Sequence, residues 1–143
     1  MTDADPYDLE RFVQAQAPVF ETALGELRAG RKRSHWMWFV FPQLKGLGRS
    51  TTAQFYGLAS LDEARGYLGH PELGPRLRAA TRTVLDGPEQ DLGRLFGAPD
   101  DAKFISCMSL FDRVEPECVF SEALGRWNGG QPDPLTALLI GGG

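Results

Sequence analysis

The chain has 143 residues, the size of one domain, and is long enough to bury a core without disulfide or metal staples. Apolar residues make up 42% and charged residues 24%, which excludes disorder as the main state, and there is no run of about 18 apolar residues of the kind that spans a bilayer. A formal net charge of −4 argues against phosphate-driven nucleic-acid binding, and the acidic start, with Asp3 and Asp5, lacks the apolar stretch of a secretory leader. The composition predicts a soluble, cytoplasmic globular protein.

Residues 8–28 read as one helix. Leu9, Phe12, Val13, Gln16, Phe20, Leu24 and Leu27 recur at steps that keep one stripe mostly apolar, and Gly30 closes it. The basic cluster Arg31-Lys32-Arg33 follows, a favourable partner for the negative end of that helix. Next come His35, Trp36, Met37, Trp38, Phe39, Val40 and Phe41. Pro42 disfavours a helical Phe41, so the spacing predicts a short extended segment near 38–41. Residues 43–52 read as a loop carrying glycines and hydroxyls.

Ser60 followed by Glu63 is a capping box that opens a helix to about residue 68. The segment 70–75 breaks the chain between helices. Further helices are predicted over 75–85, 88–96, 99–114 and 116–127. Asp133-Pro134 starts a last one over 134–140. The expected architecture is all-α: a compact single-domain bundle of six to seven short helices with that one extended segment.

The chain has two cysteines, Cys107 and Cys118. Neither lies in a C-x-x-C pair, His35 and His70 are distant in sequence, and zinc-ligand spacing is absent. Cys107 sits among apolar neighbours and reads as a small buried hydrophobe. No metal or other cofactor is implied.

Two stretches carry the chemistry. Trp36, Trp38, Phe39 and Phe41 are large rings that serve either as core or as a stacking surface. Beyond them, the Gln43 amide can read the edge of a base. Gly46 and Gly48 allow close backbone approach, and Lys45, Arg49 and Ser50 can meet phosphate oxygens. The Gly46-Leu47-Gly48 pattern falls short of both the dinucleotide fingerprint and the P-loop. The second stretch is the helix over 99–114. There Phe104, Cys107, Met108 and Phe111 form a core face, and Lys103, Ser106, Ser109 and Asp112 recur every third residue. Small serines between a lysine and an aspartate fit either a tight helix contact or a ligand-lined face.

The sequence resembles the family of small helical bacterial proteins catalogued as domain of unknown function 1810 and sometimes labelled calpastatin-like. The matching pieces are H-W-M-W-F-V-F-P-Q at 35–43, G-L-G-R-S at 46–50, Y-G-L-A-S-L-D-E-A-R-G-Y-L at 56–68, H-P-E-L-G-P-R-L at 70–77, F-G-A-P-D-D-A-K-F-I-S-C-M-S-L-F at 96–111 and G-G-x-x-D at 129–133. The resemblance implies a mainly helical single domain and no particular activity. The order of segments also looks like that of the NADAR family, which handles ADP-ribose-type compounds, although no single motif matches it.

Two functions compete. In the first, the 35–50 segment meets the 103–112 helix across a pocket for a nucleotide- or ADP-ribose-like ligand. The protein is then a binder or a hydrolase, with Asp112 or His35 as the catalytic candidate. In the second, it is a non-catalytic interaction module with the aromatic segment as a groove.

Overall fold

The computed structural model describes residues 5–140. Residues 1–4, on which much of the reading of a non-secretory start rests, lie outside the described residues. The described chain is all-helical, with ten helices: α1 Glu10–Gln16, α2 Phe20–Ala29, α3 Met37–Val40, α4 Thr51–Tyr56, α5 Leu61–Gly69, α6 Leu73–Asp86, α7 Leu92–Phe96, α8 Asp100–Val114, α9 Val119–Trp127 and α10 Pro134–Leu139. None of these is long and apolar enough to cross a membrane.

Three local features raise the helix number above six to seven. The helix expected over 8–28 is broken, because Pro18 has no N–H to donate and its ring crowds the preceding turn. The segment 38–41 is not extended. Residues Met37–Val40 form one helical turn, and Pro42 restrains only Phe41, which sits at φ −124°, ψ 71°. A strand there would also need a partner, and the described residues show β pairing only as one bridge between Leu44 and Leu58. Finally, the loop expected over 43–52 ends early, because the Ser50 hydroxyl accepts from the Ala53 N–H at 3.0 Å and starts α4.

Elsewhere the local signals act as expected. Ser60 caps α5 by accepting from the Glu63 N–H at 3.0 Å. The Asp133 carboxylate caps α10 through the Thr136 N–H at 2.9 Å, with Pro134 in the first turn. α6 begins two residues earlier than predicted, because the His70 Nδ1 accepts from the N–H groups of Glu72 and Leu73 and turns the chain into the helix.

α8 is the central element, packed against α5, α7, α9 and α10. Phe104 on α8 gathers three rings at centroid distances of 5.1 Å to Phe41, 5.1 Å to Phe96 and 5.8 Å to Trp127. Two turns further, Phe111 meets Tyr67 at 5.5 Å and Phe120 at 5.7 Å. Cys107 lies between them, fully buried, and burial pushes its thiol pKa well up, so it stays protonated as an inert core group.

Polar groups fasten the aromatic segment to this core. Glu26 on α2 accepts from the N–H groups of Arg33 and Ser34 at 2.7 and 3.1 Å, from the Ser34 hydroxyl, and from the Trp36 ring N–H at 2.9 Å. Burial opposes its charge, but the hydrogen bonds from Ser34, Arg33 and Trp36 outweigh that effect and hold its carboxyl at about 2. At the other end of the segment, the Phe39 carbonyl accepts from Gln16 Nε2 at 2.6 Å and from the buried Tyr67 hydroxyl at 3.2 Å.

Truncating Phe104 to Ala opens a cavity under three rings, and urea unfolding should show a loss of about 3–5 kcal/mol. Glu26→Gln should cost about 1–3 kcal/mol at pH 7, toward the lower end because the carboxylate is partly solvated. The wild-type carboxyl has a depressed pKa, so its contribution is fully present above its ordinary value of 4.5 and fades as pH falls toward about 2. The gap between the two proteins should therefore narrow across that window; a gap independent of pH would contradict the assignment.

Candidate functional site

A cleft of about 430 Å³ opens where the 43–50 segment faces α8. Gln43, Gly48, Arg49 and Ser50 line one wall, Lys103 and Ser106 line the other, and Asp133 and Leu135 close one end. The 43–45 stretch is pinned by two backbone bonds. The Leu58 N–H donates to the Gln43 carbonyl at 3.0 Å, and the Lys45 N–H donates to the Leu58 carbonyl at 2.8 Å.

The polar groups in the cleft differ in how far the protein uses them. Gln43 is half-buried, and its side-chain amide, without a hydrogen bond to another described residue, is open to solvent at the cleft. The Lys103 ammonium lies 5.3 Å from the centre of the Trp38 ring and 3.5 Å from Asp100 Oδ1. Arg49 is exposed and has no carboxylate within ion-pair distance among the described residues. Ser106 donates to the Ala102 carbonyl at 3.2 Å, which leaves its oxygen lone pairs free to accept. Ser50 Oγ caps α4 and keeps its proton to donate. One Asp133 oxygen is held by the Thr136 N–H and hydroxyl at 2.9 and 2.7 Å. The set supplies two cations, hydroxyl donors and acceptors, and a free amide, which suits an anionic ligand with a hydrogen-bonding edge.

Several sequence candidates lie elsewhere. Trp36 is 1% exposed and bonded to Glu26, so it is core rather than a stacking surface. Phe41 is equally buried, which leaves Trp38 and Phe39 as the partly exposed rings of the segment. Trp38 lies behind the cleft wall, under Lys103, beside a void too small for a ligand, about 10 Å³. His35, Lys45 and Gly46 are exposed, and none of them lines the cleft. Gly46 has φ +103° with open space around it, so it serves a left-handed turn.

Ser109 and Asp112 are separated from Lys103 and Ser106 by helix geometry. Three residues advance an α-helix by about 300°, so each step of an every-third series drifts about 60°, and Lys103 and Asp112 end about 180° apart. Ser109 and Asp112 border a different hollow, of about 280 Å³, against α10. The Ser109 hydroxyl is already spent, donating to the Ile105 carbonyl at 2.8 Å and accepting from the Asp133 N–H at 2.7 Å. Asp112 accepts from the Ser121 hydroxyl, which itself accepts from the Glu117 N–H at 2.8 Å. Asp112 therefore has a local role in fastening the start of α9.

Asp133, an acid that reads in the sequence both as a candidate near the pocket and more simply as the cap of α10, does both: it caps α10 and borders the cleft. The sequence reading missed a second basic hollow beside Arg31, Lys32 and Arg94, of which the cluster at 31–33 was the visible signal.

An all-helical protein with a cation- and hydroxyl-lined cleft over one face of its central helix is the class that this geometry defines. The chain belongs to the family described as "Protein of unknown function (DUF1810)", whose model matches residues 6–140. Its fold is similar to that in the crystal structure of the conserved hypothetical protein Rv1873 from Mycobacterium tuberculosis, with a TM-score of 0.92 and 50% identity over 95% of this chain and 98% of that one. No curated protein matches the sequence.

Gly48 sets the width of the cleft. A Cβ there would sit 2.5 Å from the Ala53 Cβ, an atom fixed to the α4 backbone. Gly48→Ala should lower Tm by several degrees, as expected for about 1–3 kcal/mol of overpacking. Adding Ala53→Gly should recover part of that loss, and a double-mutant cycle with no coupling would show that the contact is unimportant.

Proposed function

We propose that this protein binds a small nucleotide- or ADP-ribose-like ligand in the cleft between the 43–50 segment and α8. The observation that carries the reading is the Gln43 amide, open to solvent at a cleft that Arg49, Ser50, Lys103 and Ser106 also line. An amide offers one acceptor and two donor hydrogens, the pattern that complements a base or nicotinamide edge. Arg49 and Lys103 supply charge for phosphate oxygens, and Arg49 has a fork that can hold two of them at once. Leu47, Pro99 and Leu135 give the cleft apolar surface against which a ring can lie.

Binding is better supported than hydrolysis. Cleavage of a glycosidic bond needs a carboxylate or similar group placed to stabilise positive charge or to orient water. The acid on this cleft is Asp133, with one oxygen committed to the α10 cap, while Asp112 borders the other hollow. A hydrolytic version of the function would have to use the remaining oxygen of Asp133.

The test is a thermal-shift and calorimetric screen with AMP, ADP, NAD and ADP-ribose. A true ligand at about one hundred times its Kd adds about 2.7 kcal/mol, which should raise Tm by roughly 5–10 °C. Gln43→Ala and Lys103→Ala should each remove most of that rise. No response to the whole panel, or a response unchanged in both variants, would overturn the proposal.

A further inference from the structure

A second hollow, of about 520 Å³, lies on the far side of Asp100 from the cleft, between the α2–α3 connection and α7. We infer that it is a separate binding site for a small anion of two or more charges, of the diphosphate class, held by Arg31, Lys32 and Arg94.

The chain carries a net −4, yet the side chains lining this hollow are three cations and one acid, Glu89, with Asp100 paired to Lys32 and the Asp91 and Asp101 carboxylates beside Gly93. Six arginines elsewhere, such as Arg78 with Glu115 and Arg82 with Glu122, are paired with carboxylates; among the described residues Arg28, Arg33, Arg49 and Arg113 are not, but none of these ten lines this hollow. Arg31 and Arg94 have no carboxylate within 4.0 Å among the described residues, although Glu89 shares the hollow with them. The Glu89 carboxylate instead accepts from the Asp91 N–H at 3.1 Å. Two guanidinium forks on one concave surface are therefore left with their donors unspent, and planar forks match the paired oxygens of phosphate.

The hollow is also firm. The Lys32 N–H donates to the Leu95 carbonyl at 2.7 Å and ties its two walls together. The Lys32 ammonium is held 3.0 Å from Asp100 Oδ2 and 5.2 Å from the centre of the Trp36 ring. Glu89 fixes the charge class. A singly charged anion gains little beside a carboxylate, whereas a diphosphate outweighs it and spans two arginines.

The test is calorimetric titration of the full chain with inorganic pyrophosphate at low ionic strength. Wild-type protein should bind, and sodium chloride at matched ionic strength should give no saturable heat. Arg31→Ala/Arg94→Ala should weaken the Kd by about tenfold or more, the loss of charge-assisted contacts at both forks. Both side chains are exposed and unpaired, so circular dichroism of that variant should match wild type. Arg65→Ala/Arg113→Ala removes equal charge elsewhere and should keep the Kd within about twofold, which separates a site from general charge attraction. Absence of wild-type binding, an unchanged Kd in Arg31→Ala/Arg94→Ala, or equal weakening in both double variants would overturn the inference. Loss through Arg49→Ala alone would assign the anion to the cleft beside Gln43 and would also overturn it. Failure here leaves the nucleotide reading of that other cleft untouched, because the two are read out by different variants.

Discussion

The arrangement depends on the packing around the Phe104 ring. Phe41, Phe96 and Trp127 arrive on it from the aromatic segment, from α7 and from the end of α9. Aromatic rings bury large areas and have preferred edge and offset geometries, so one such node fixes both the distance and the orientation of three elements. Lys103 and Ser106 flank Phe104 in sequence on α8. Once Phe41 is seated, Gln43 is two residues away and its place opposite Lys103 is settled. The polar cleft is thus a by-product of how the apolar side of the same helix packs, and its shape needs no ligand to be defined.

Charge is organised around a single carboxylate. Asp100, at the start of α8, meets Lys32 with one oxygen and Lys103 with the other, at 3.0 and 3.5 Å. Each lysine also lies over a tryptophan, Trp36 for Lys32 and Trp38 for Lys103. An acid in the first turn of a helix is favoured by the helix dipole alone. Here the same residue also holds two ammonium groups in partly buried positions, one bordering each hollow.

Much of the fold was legible in the sequence wherever the signal is local. Ser60 with Glu63, Asp133 with Pro134, and the apolar face of residues 104–111 act through neighbours three or four positions away, and the structure uses them as written. The segment at 37–41 was not legible, because Pro42 restrains one residue whereas the turn before it is held by Gln16 and Tyr67, which are distant in sequence. Pro18 was a readable break that the apolar stripe of 8–28 obscured. In the site, the polar series on α8 was visible as a pattern but divides between two hollows, since an every-third spacing precesses around a helix. The glycines at 46 and 48 read as room for a ligand. One serves a left-handed turn and the other a backbone crossing over Ala53, roles that depend on φ and on a neighbour rather than on the residue type.

The hydrogen bonds that converge on the Phe39 carbonyl have a consequence for dissecting this protein. The acceptor belongs to a helix of a single turn, and its two donors come from Gln16 at the end of α1 and Tyr67 inside α5. A fragment that starts at α2 would strip one donor from that carbonyl and uncap the buried Tyr67 hydroxyl at the same stroke. The opening seven-residue helix, short enough to look like a dispensable lead-in, is therefore a structural member of the wall that carries Trp38 and Gln43.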